Sequence, residues 1–281
     1  MSQTWHSADQ PERLRISPMG WLRVVVRAVP LAVLIFGGLA LLLLLRLIER
    51  PLCGLRRPVT PWVTQAVCRA VLVILGIGYA VQGKPLTGPG ALVANHASWL
   101  DIFALNARKR VYFVAKSEVA GWPGIGWLAR ATGTVFIRRD RADVAAQIGL
   151  FRARLLAGHK LVFFPEGTST DGLRVLPFKP ALFAAFLEPE LKDGLQLQPV
   201  SVVYHAPKGA DPRFYGWWGT MDLGPHLLAV LAAAGQGGVT VIYHPPLDVT
   251  RFQGRKALAL ACETYVRAGV TSSRPAASKA L

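Results

Sequence analysis

Ala91-Leu92-Val93-Ala94-Asn95-His96-Ala97-Ser98-Trp99-Leu100-Asp101 carries an apolar strand, a polar turn and the start of a helical pattern, with no linker between them. A short apolar run bounded by turn residues suits a strand buried on both faces. A strand that passes directly into a helix is the repeating unit of an α/β domain. The same turn holds an acid–base pair. Histidine titrates near neutrality, so an unprotonated imidazole at His96 accepts the proton of an alcohol as that alcohol attacks a carbonyl. A carboxylate on the other ring nitrogen, from Asp101, fixes the tautomer and stabilises the imidazolium. Spacing constrains the geometry. Residues five apart on one regular helix lie about 140° apart around its axis, at roughly 3.6 residues per turn. His96 must therefore precede the helix, and Asp101 must reach back from its first turn. A purely structural reading competes, because Ser98-Trp99-Leu100-Asp101 also fits the S-x-x-[DE] capping box, in which Asp101 only ends a helix. On these residues alone the two readings are level.

Outward from this stretch, the turn-rich segment Gly83-Lys84-Pro85-Leu86-Thr87-Gly88-Pro89-Gly90 marks a change of texture. Beyond it short apolar runs alternate with helical patterns. Strands are expected at Ala91–Ala94, Val111–Ala115, Val135–Ile137, Leu161–Phe164, Gln198–Tyr204 and Val239–Tyr243. Helices are expected at Trp99–Ala107, Ala142–Ala157, Pro180–Leu187, His226–Ala233 and Arg255–Arg267. A catalytic α/β domain, a sheet flanked by helices, is thus expected over 83–270, followed by a disordered tail over 271–281. Gly124-Ile125-Gly126-Trp127-Leu128-Ala129 formally matches a dinucleotide fingerprint but follows Trp122-Pro123 and no clear strand, so it reads as a turn.

Toward the N-terminus the picture is different. After a polar segment over 1–20, Ala28–Leu45 is apolar without interruption, enough for a helix of roughly 27 Å, close to the hydrocarbon thickness of a bilayer. Arg23, Arg27, Arg46 and Arg50 bracket it on both sides, so the positive-inside rule gives no orientation. The segment begins too late and lacks the cleavage site of a secretory signal, so a retained anchor is expected, with a transmembrane helix over about 28–45. Val59–Ala80 is also apolar but carries Arg69, and an interfacial or re-entrant helix with Arg69 snorkelling to the headgroups accounts for both features. The anchor is expected over 21–82.

The composition agrees. Hydrophobic residues make up 52% of the 281 residues and charged ones 17%, a balance that leans toward membrane contact. A formal net charge of +16 suits anionic headgroups, an acidic carrier protein or nucleic acid. Nucleic acid is set aside, since the basic residues Arg152, Arg154, His159 and Lys160 lack aromatic interleaving and any reader motif. They read as a solvated helix face or as contacts to anionic lipid or an acidic carrier. Cys53, Cys68 and Cys262 are scattered and imply neither disulfides nor a thiolate metal site, which fits a cytosol-facing domain. His159, His205, His226 and His244 have no ligand-like spacing, so no metal is expected. There is no G-x-S-x-G nucleophile elbow, which sets a serine hydrolase aside.

Two further segments join the first. Gly133-Thr134-Val135-Phe136-Ile137-Arg138-Arg139 ends a strand in arginines, and Phe163-Phe164-Pro165-Glu166-Gly167-Thr168 ends another in an acid followed by glycine. Open α/β sheets bind ligands beyond the carboxyl ends of their strands. Arginine there suits a phosphate or carboxylate, Gly167 permits close backbone approach, and Glu166 could hydrogen-bond an acceptor hydroxyl. Asn95-His96 with Asp101, Gly133 to Arg139, Phe164 to Thr168, and Gln198-Pro199-Val200-Ser201-Val202 resemble, in order, the four blocks of the phospholipid/glycerol acyltransferase family, which includes the 1-acylglycerol-3-phosphate acyltransferases. The resemblance spans about residues 90 to 205. It implies that His96 and Asp101 are the catalytic pair, that Asn95, Arg139, Glu166, Gly167 and Thr168 bind the acyl acceptor, and that Pro199 shapes the site floor. Lys116 matches a lysine that contributes to the acceptor's phosphate site in similar enzymes. The implied reaction is direct transfer of a fatty acyl group from the thioester of acyl carrier protein or coenzyme A to a lysolipid hydroxyl, at a bacterial cytoplasmic membrane, with no other cofactor. One departure bears on the acceptor: many lysophosphatidate enzymes have arginine after Glu-Gly-Thr, where this chain has Ser169. Phe214-Tyr215-Gly216-Trp217-Trp218-Gly219-Thr220-Met221-Asp222 with Pro225-His226 looks like the branch that acylates lyso-ornithine lipid. Both acceptors stay open at this point, and Trp217 and Trp218 also read as interfacial aromatics. A non-catalytic lipid-binding protein of the same fold would be expected to lack part of the His96, Asp101 and Glu166-Gly167 set, which is complete.

Overall fold

The computed structural model describes residues 4–5, 15–138, 144–192 and 194–273. Two helices come first, α1 (Pro18–Cys53) and α2 (Thr60–Leu75). The sheet domain then runs β1 (Gly78–Gln82), β2 (Gly90–Ala94), α3 (Asp101–Arg108), β3 (Tyr112–Lys116), α4 (Ile125–Thr132), β4 (Val135–Ile137), α5 (Val144–Leu156) and β5 (Leu161–Phe163). It continues with α6 (Pro189–Lys192), β6 (Gln196–His205), α7 (Leu223–Ala232), β7 (Gly238–Tyr243), β8 (Leu247–Asp248) and α8 (Arg255–Ser272).

The strands form one mixed sheet in the order β1-β7-β6-β2-β5-β3-β4, with β8 also on β6. β6, β2, β5, β3 and β4 are mutually parallel, joined in part by the crossovers through α3, α4 and α5. β7 runs antiparallel to β6, and β1 parallel to β7. Because strand side chains alternate, β2 feeds two cores. Ala91 and Val93 pack with Phe151, Phe163, Phe183, Phe186 and the α8 residues Leu258 and Cys262, while Leu92 and Ala94 pack with Leu72, Leu75, Leu100, Leu105 and Val230. All five residues of β2 are buried, which places the strand that feeds the His96 turn at the centre of the molecule.

The expected α/β sheet flanked by helices is present, with several differences in detail. β1 lies within the segment expected to belong to the anchor. α2 stops at Leu75, where Gly76 adopts a left-handed φ of 79°, and the remaining apolar residues become a strand paired with β7. The sheet domain therefore begins before the expected boundary at 83. Arg69 does not reach toward headgroups, since its Nε donates to the Ala107 carbonyl at 2.7 Å and caps the end of α3. Ile125–Thr132 is a helix with Gly124 (φ 70°) as its entry, not a turn, and Pro180–Leu187 is 3-10 and not α-helical. Arg154 and His159, expected on a solvated face, are 6% and 4% exposed. Arg154 donates to the Gly133 carbonyl and lies over Tyr112, on which His159 also stacks. The last helix continues to Ser272, past the start of the expected tail, of which 274–281 lie outside the described residues.

α1 is longer than the apolar run inside it, about 54 Å at 1.5 Å per residue. Ser17 caps it by accepting from the Gly20 amide at 3.1 Å, and Pro18 occupies the first turn, where its missing N–H costs nothing. It buries only Gly20, Val24, Leu31, Leu42 and Glu49, a single stripe against the domain. Gly38 sits where a Cβ would come within 2.6 Å of Val67, so its lack of a side chain lets α2 approach.

Candidate active site

β2 and β5 pair up to Val93 and Phe163, and the turns that follow, at 95–101 and 164–168, emerge side by side at the carboxyl edge of the sheet. His96 sits in the first of them. Its Nδ1 lies 2.7 Å from Asp101 Oδ2, with the imidazole side chain 24% exposed and the carboxylate fully buried. Asp101 is the first residue of α3, and it reaches back as the spacing requires. Its Oδ2 also accepts the amides of Ala97 (2.9 Å) and Ser98 (3.1 Å), and its Oδ1 accepts the Tyr204 hydroxyl at 2.8 Å. Four donors on two oxygens match an acceptor-only carboxylate. Only half of a capping box is formed, since Asp101 accepts the Ser98 amide while the Ser98 hydroxyl accepts from Leu100 and not from Asp101, and the same carboxylate holds the histidine. Burial and the Asp101 charge hold the Tyr204 phenol well above its ordinary range, which keeps it a donor.

With Asp101 on Nδ1, the imidazole carries its proton there and presents Nε2 as the basic nitrogen. Phe164 stacks on the ring at 4.3 Å between centroids and 14° between planes, and Phe113 stacks on Phe164 in turn. The backbone of the turn is tied from several sides. Glu166 Oε1 accepts the His96 amide at 3.3 Å, the His96 carbonyl accepts the Thr170 amide at 2.9 Å, and the Ala97 carbonyl accepts the Trp217 amide at 2.9 Å. Trp99 Nε1 donates to His226 Nδ1 at 2.9 Å, so His226 keeps its proton on Nε2 for the Phe214 carbonyl at 3.2 Å. Burial lowers the His226 pKa and favours this neutral form. A base held this firmly loses little entropy when it reacts.

Several expected acceptor-binding residues have other work. Asn95 is 1% exposed, and its side chain clasps Val202, donating Nδ2–H to the carbonyl at 2.9 Å and accepting the amide at 2.8 Å. This two-way bond locks the end of β2 to β6. Glu166 is also 1% exposed; it faces the His96 backbone, and burial raises its pKa well above the usual carboxylate range, so the neutral acid is favoured. Pro199 is buried in β6 opposite Val93, within the body of the sheet. Its carbonyl accepts the His244 amide, so its missing N–H faces the gap between β8, which pairs at Gln196–Leu197, and β7, which pairs from Val200 onward. Gly167 has φ 75°, the left-handed turn that glycine permits, and donates to the Phe164 carbonyl at 3.1 Å. Thr168 stands at the rim of the same turn, where its Oγ1 accepts the Trp5 amide at 3.4 Å. Lys116 ends β3 beside Ile137 at the same edge of the sheet. Arg139 lies outside the described residues. Trp218 is 3% exposed and packs against Trp5, so it is not an interfacial aromatic.

Sequence reasoning missed Tyr204, Phe164, Thr170 and the Trp99–His226 pair. Tyr204 had a usable signal: it closes an expected strand, and the end of a strand parallel to β2 falls at the catalytic edge.

The acyltransferase family profile matches residues 79–203, from β1 through most of β6. Lyso-ornithine lipid O-acyltransferase of Rhodobacter capsulatus is 54% identical over 266 residues, covering 95% of this chain and 96% of its own. The chain belongs to the acyltransferase family. The Brucella abortus protein of the same name is 40% identical over 73% of this chain and 80% of its own. 1-Acyl-sn-glycerol-3-phosphate acyltransferase of Neisseria meningitidis is 39% identical over 50% of this chain and 55% of its own. The crystal structure of the 1-acyl-sn-glycerophosphate acyltransferase of Thermotoga maritima superimposes with a TM-score of 0.64 at 23% identity, over 91% of this chain and 97% of that one, and establishes the shared fold. This family member is accordingly an enzyme, an acyltransferase of the lysolipid-directed type, with His96 and Asp101 in contact at the carboxyl edge of its sheet.

Proposed function

We propose that this acyltransferase esterifies the free hydroxyl of a lyso-ornithine lipid, using the thioester of acyl carrier protein or coenzyme A as donor. The observation that carries the chemistry is the 2.7 Å contact between His96 Nδ1 and a fully buried Asp101, with the imidazole side chain 24% exposed, so that Nε2 is the ring nitrogen left to meet an acceptor. Nε2 takes the hydroxyl proton as the oxygen attacks the thioester carbonyl. The tetrahedral adduct collapses, the carbon–sulfur bond breaks, and the imidazolium returns its proton to the departing thiolate. Backbone amides of the turn beside the imidazole are the natural donors to the transient oxyanion. Acceptor choice is supported by two observations. The sequence relative 54% identical over 95% of this chain is named for lyso-ornithine lipid, whereas the sequence relatives from Neisseria named for 1-acyl-sn-glycerol-3-phosphate match about half of it, at 39% and 38% identity. Ser169 follows Glu166-Gly167-Thr168, where by the family resemblance many lysophosphatidate enzymes carry arginine. With purified protein and acyl carrier protein thioester, lyso-ornithine lipid is expected to react at least about tenfold faster than 1-acylglycerol-3-phosphate, the scale of one charge-assisted contact. A faster reaction with the phosphate acceptor would reverse the assignment.

The anchor is proposed to lie in one leaflet of the membrane and not to cross it. α1 is long and apolar enough to span. Both its ends, however, are fastened to the same domain. Arg23 donates to the Ala232 carbonyl at 3.0 Å, and Arg27 to those of Leu231 and Ala233 at 2.7 and 2.8 Å. At the other end Glu49 accepts the amides of Val59 and Thr60 and the Thr60 hydroxyl, and Arg57 donates to the Ala131 carbonyl at 2.7 Å. Val25, Val26, Val29, Val33, Leu44 and Leu47 are left exposed along the outer side, as lipid contact requires. Cys53 reports one end of α1, because Cys68 and Cys262 are buried with thiols pushed up to about 12. In sealed membrane vesicles a membrane-impermeant maleimide is expected to label Cys53 and a cysteine placed at Ser17 from the same side. Labelling from opposite sides would establish a crossing.

A further inference from the structure

At the end of α3 remote from Asp101, roughly 10 Å along the helix axis, the chain carries three cations in succession. Arg108, Lys109 and Arg110, with Gln65 of α2 and Pro85 and Thr87 of the loop before β2, line an open surface depression of about 250 Å³. That is smaller than the roughly 300–1,000 Å³ that houses a whole small molecule, and on the scale of a headgroup. Among the described residues none of the three cations forms an ion pair with a carboxylate. Burial, and after it the charge of Arg110, lowers the Lys109 pKa, and burial followed by the charge of Lys109 lowers that of Lys160. The C-terminal dipole of α3 favours one cation here but does not require three. An anion would relieve the mutual repulsion.

The surroundings indicate what carries that anion. The Arg110 guanidinium lies 3.6 Å from the centroid of the Trp62 ring, and Trp62 is 57% exposed on α2. Leu52, Leu55 and Val59 continue the same exposed apolar surface along the turn between α1 and α2. A basic pocket bordered by an aromatic and by apolar side chains at the edge of an anchor presents the two halves of a phospholipid with the two surfaces they need. A free phosphate would use only the first. We propose that this pocket binds the phosphate headgroup of an anionic phospholipid as a non-substrate ligand, with its chains against Trp62 and Leu55. The inference rests on membrane association alone and is independent of the acceptor's identity.

The test uses the full chain in neutral detergent micelles, with equimolar phosphatidylglycerol and phosphatidylcholine and native mass spectrometry as the readout. Retention of one phosphatidylglycerol is expected at a preference of about tenfold or more, falling to near parity in Arg108→Gln/Lys109→Gln/Arg110→Gln. Acyl transfer in neutral micelles should be unchanged in that variant, which shows that it is folded. Trp62→Ala should weaken retention of phosphatidylglycerol while leaving any binding of inorganic phosphate as it was. An undiminished preference in the triple variant overturns the proposal, as does a wild-type chain that binds inorganic phosphate but shows no preference for phosphatidylglycerol. Displacement of the retained lipid by acidic acyl carrier protein, followed by stable occupancy of the same cations, would overturn it in favour of a protein partner.

Discussion

His96→Ala is expected to reduce acyl transfer by about 10²–10⁴-fold, the contribution of a positioned general base, while the protein stays folded and membrane-bound. The separation of the two effects follows from where the imidazole is attached. Its side chain makes one hydrogen bond, to Asp101, and one stack, on Phe164. The turn itself is held by backbone contacts to Glu166, Thr170 and Trp217 that alanine preserves. Three measurements check this: the initial rate with a labelled acyl donor, the thermal midpoint, and sedimentation with membranes. Retention of more than about a tenth of the rate would remove His96 from the proton transfer.

Asp101→Asn is expected to be nearly as damaging for a different reason. An amide oxygen can take the place of Oδ2 and accept from His96, Ala97 and Ser98, with the amide nitrogen toward the Tyr204 hydroxyl, which turns to accept. The shape is kept and the charge is lost, so the imidazolium formed during attack has no counter-ion. In the protease triad that change costs about 10⁴ in kcat, and a loss of about 10²–10⁴, not exceeding that of His96→Ala, is expected here. The stability cost is smaller, roughly 1–3 kcal/mol for weakening a buried charged acceptor. Because the two residues act as one unit, the double variant His96→Ala/Asp101→Asn should be scarcely slower than His96→Ala. Additive losses would mean that Asp101 acts on the reaction without passing through the imidazole.

Chemistry was more legible than architecture in some places and less in others. The His96–Asp101 contact could be deduced, because helical geometry forbids any other arrangement at a spacing of five. The apolar runs of β2, β3, β4, β5, β6 and β7 were legible in the sequence. β1 was not, since Gly78–Gln82 extends the apolarity of α2 without a change of composition, and only the left-handed Gly76 separates helix from strand. Two glycines concealed α4, whose entry uses Gly124 and whose packing brings Gly126 against the Ala120 carbonyl. Within the site, sequence identified Asn95 and Glu166 as polar residues at strand ends but not the directions of their side chains. Both turn inward, to Val202 and to the His96 backbone, and those partners are distant in sequence. Tyr204 was hidden for the same reason, 103 residues from the carboxylate it serves.

The bonds from Arg23 and Arg27 to the last carbonyls of α7 give the anchor a mechanical role. α7 carries His226, which grips Trp99, three residues from His96. Keel and reaction centre are therefore one rigid piece, so the tilt of α1 fixes the height and angle at which His96 meets the plane of the headgroups. A lipid hydroxyl need only diffuse sideways to that level, and the depth at which the hydroxyl rides becomes a criterion of selection in its own right.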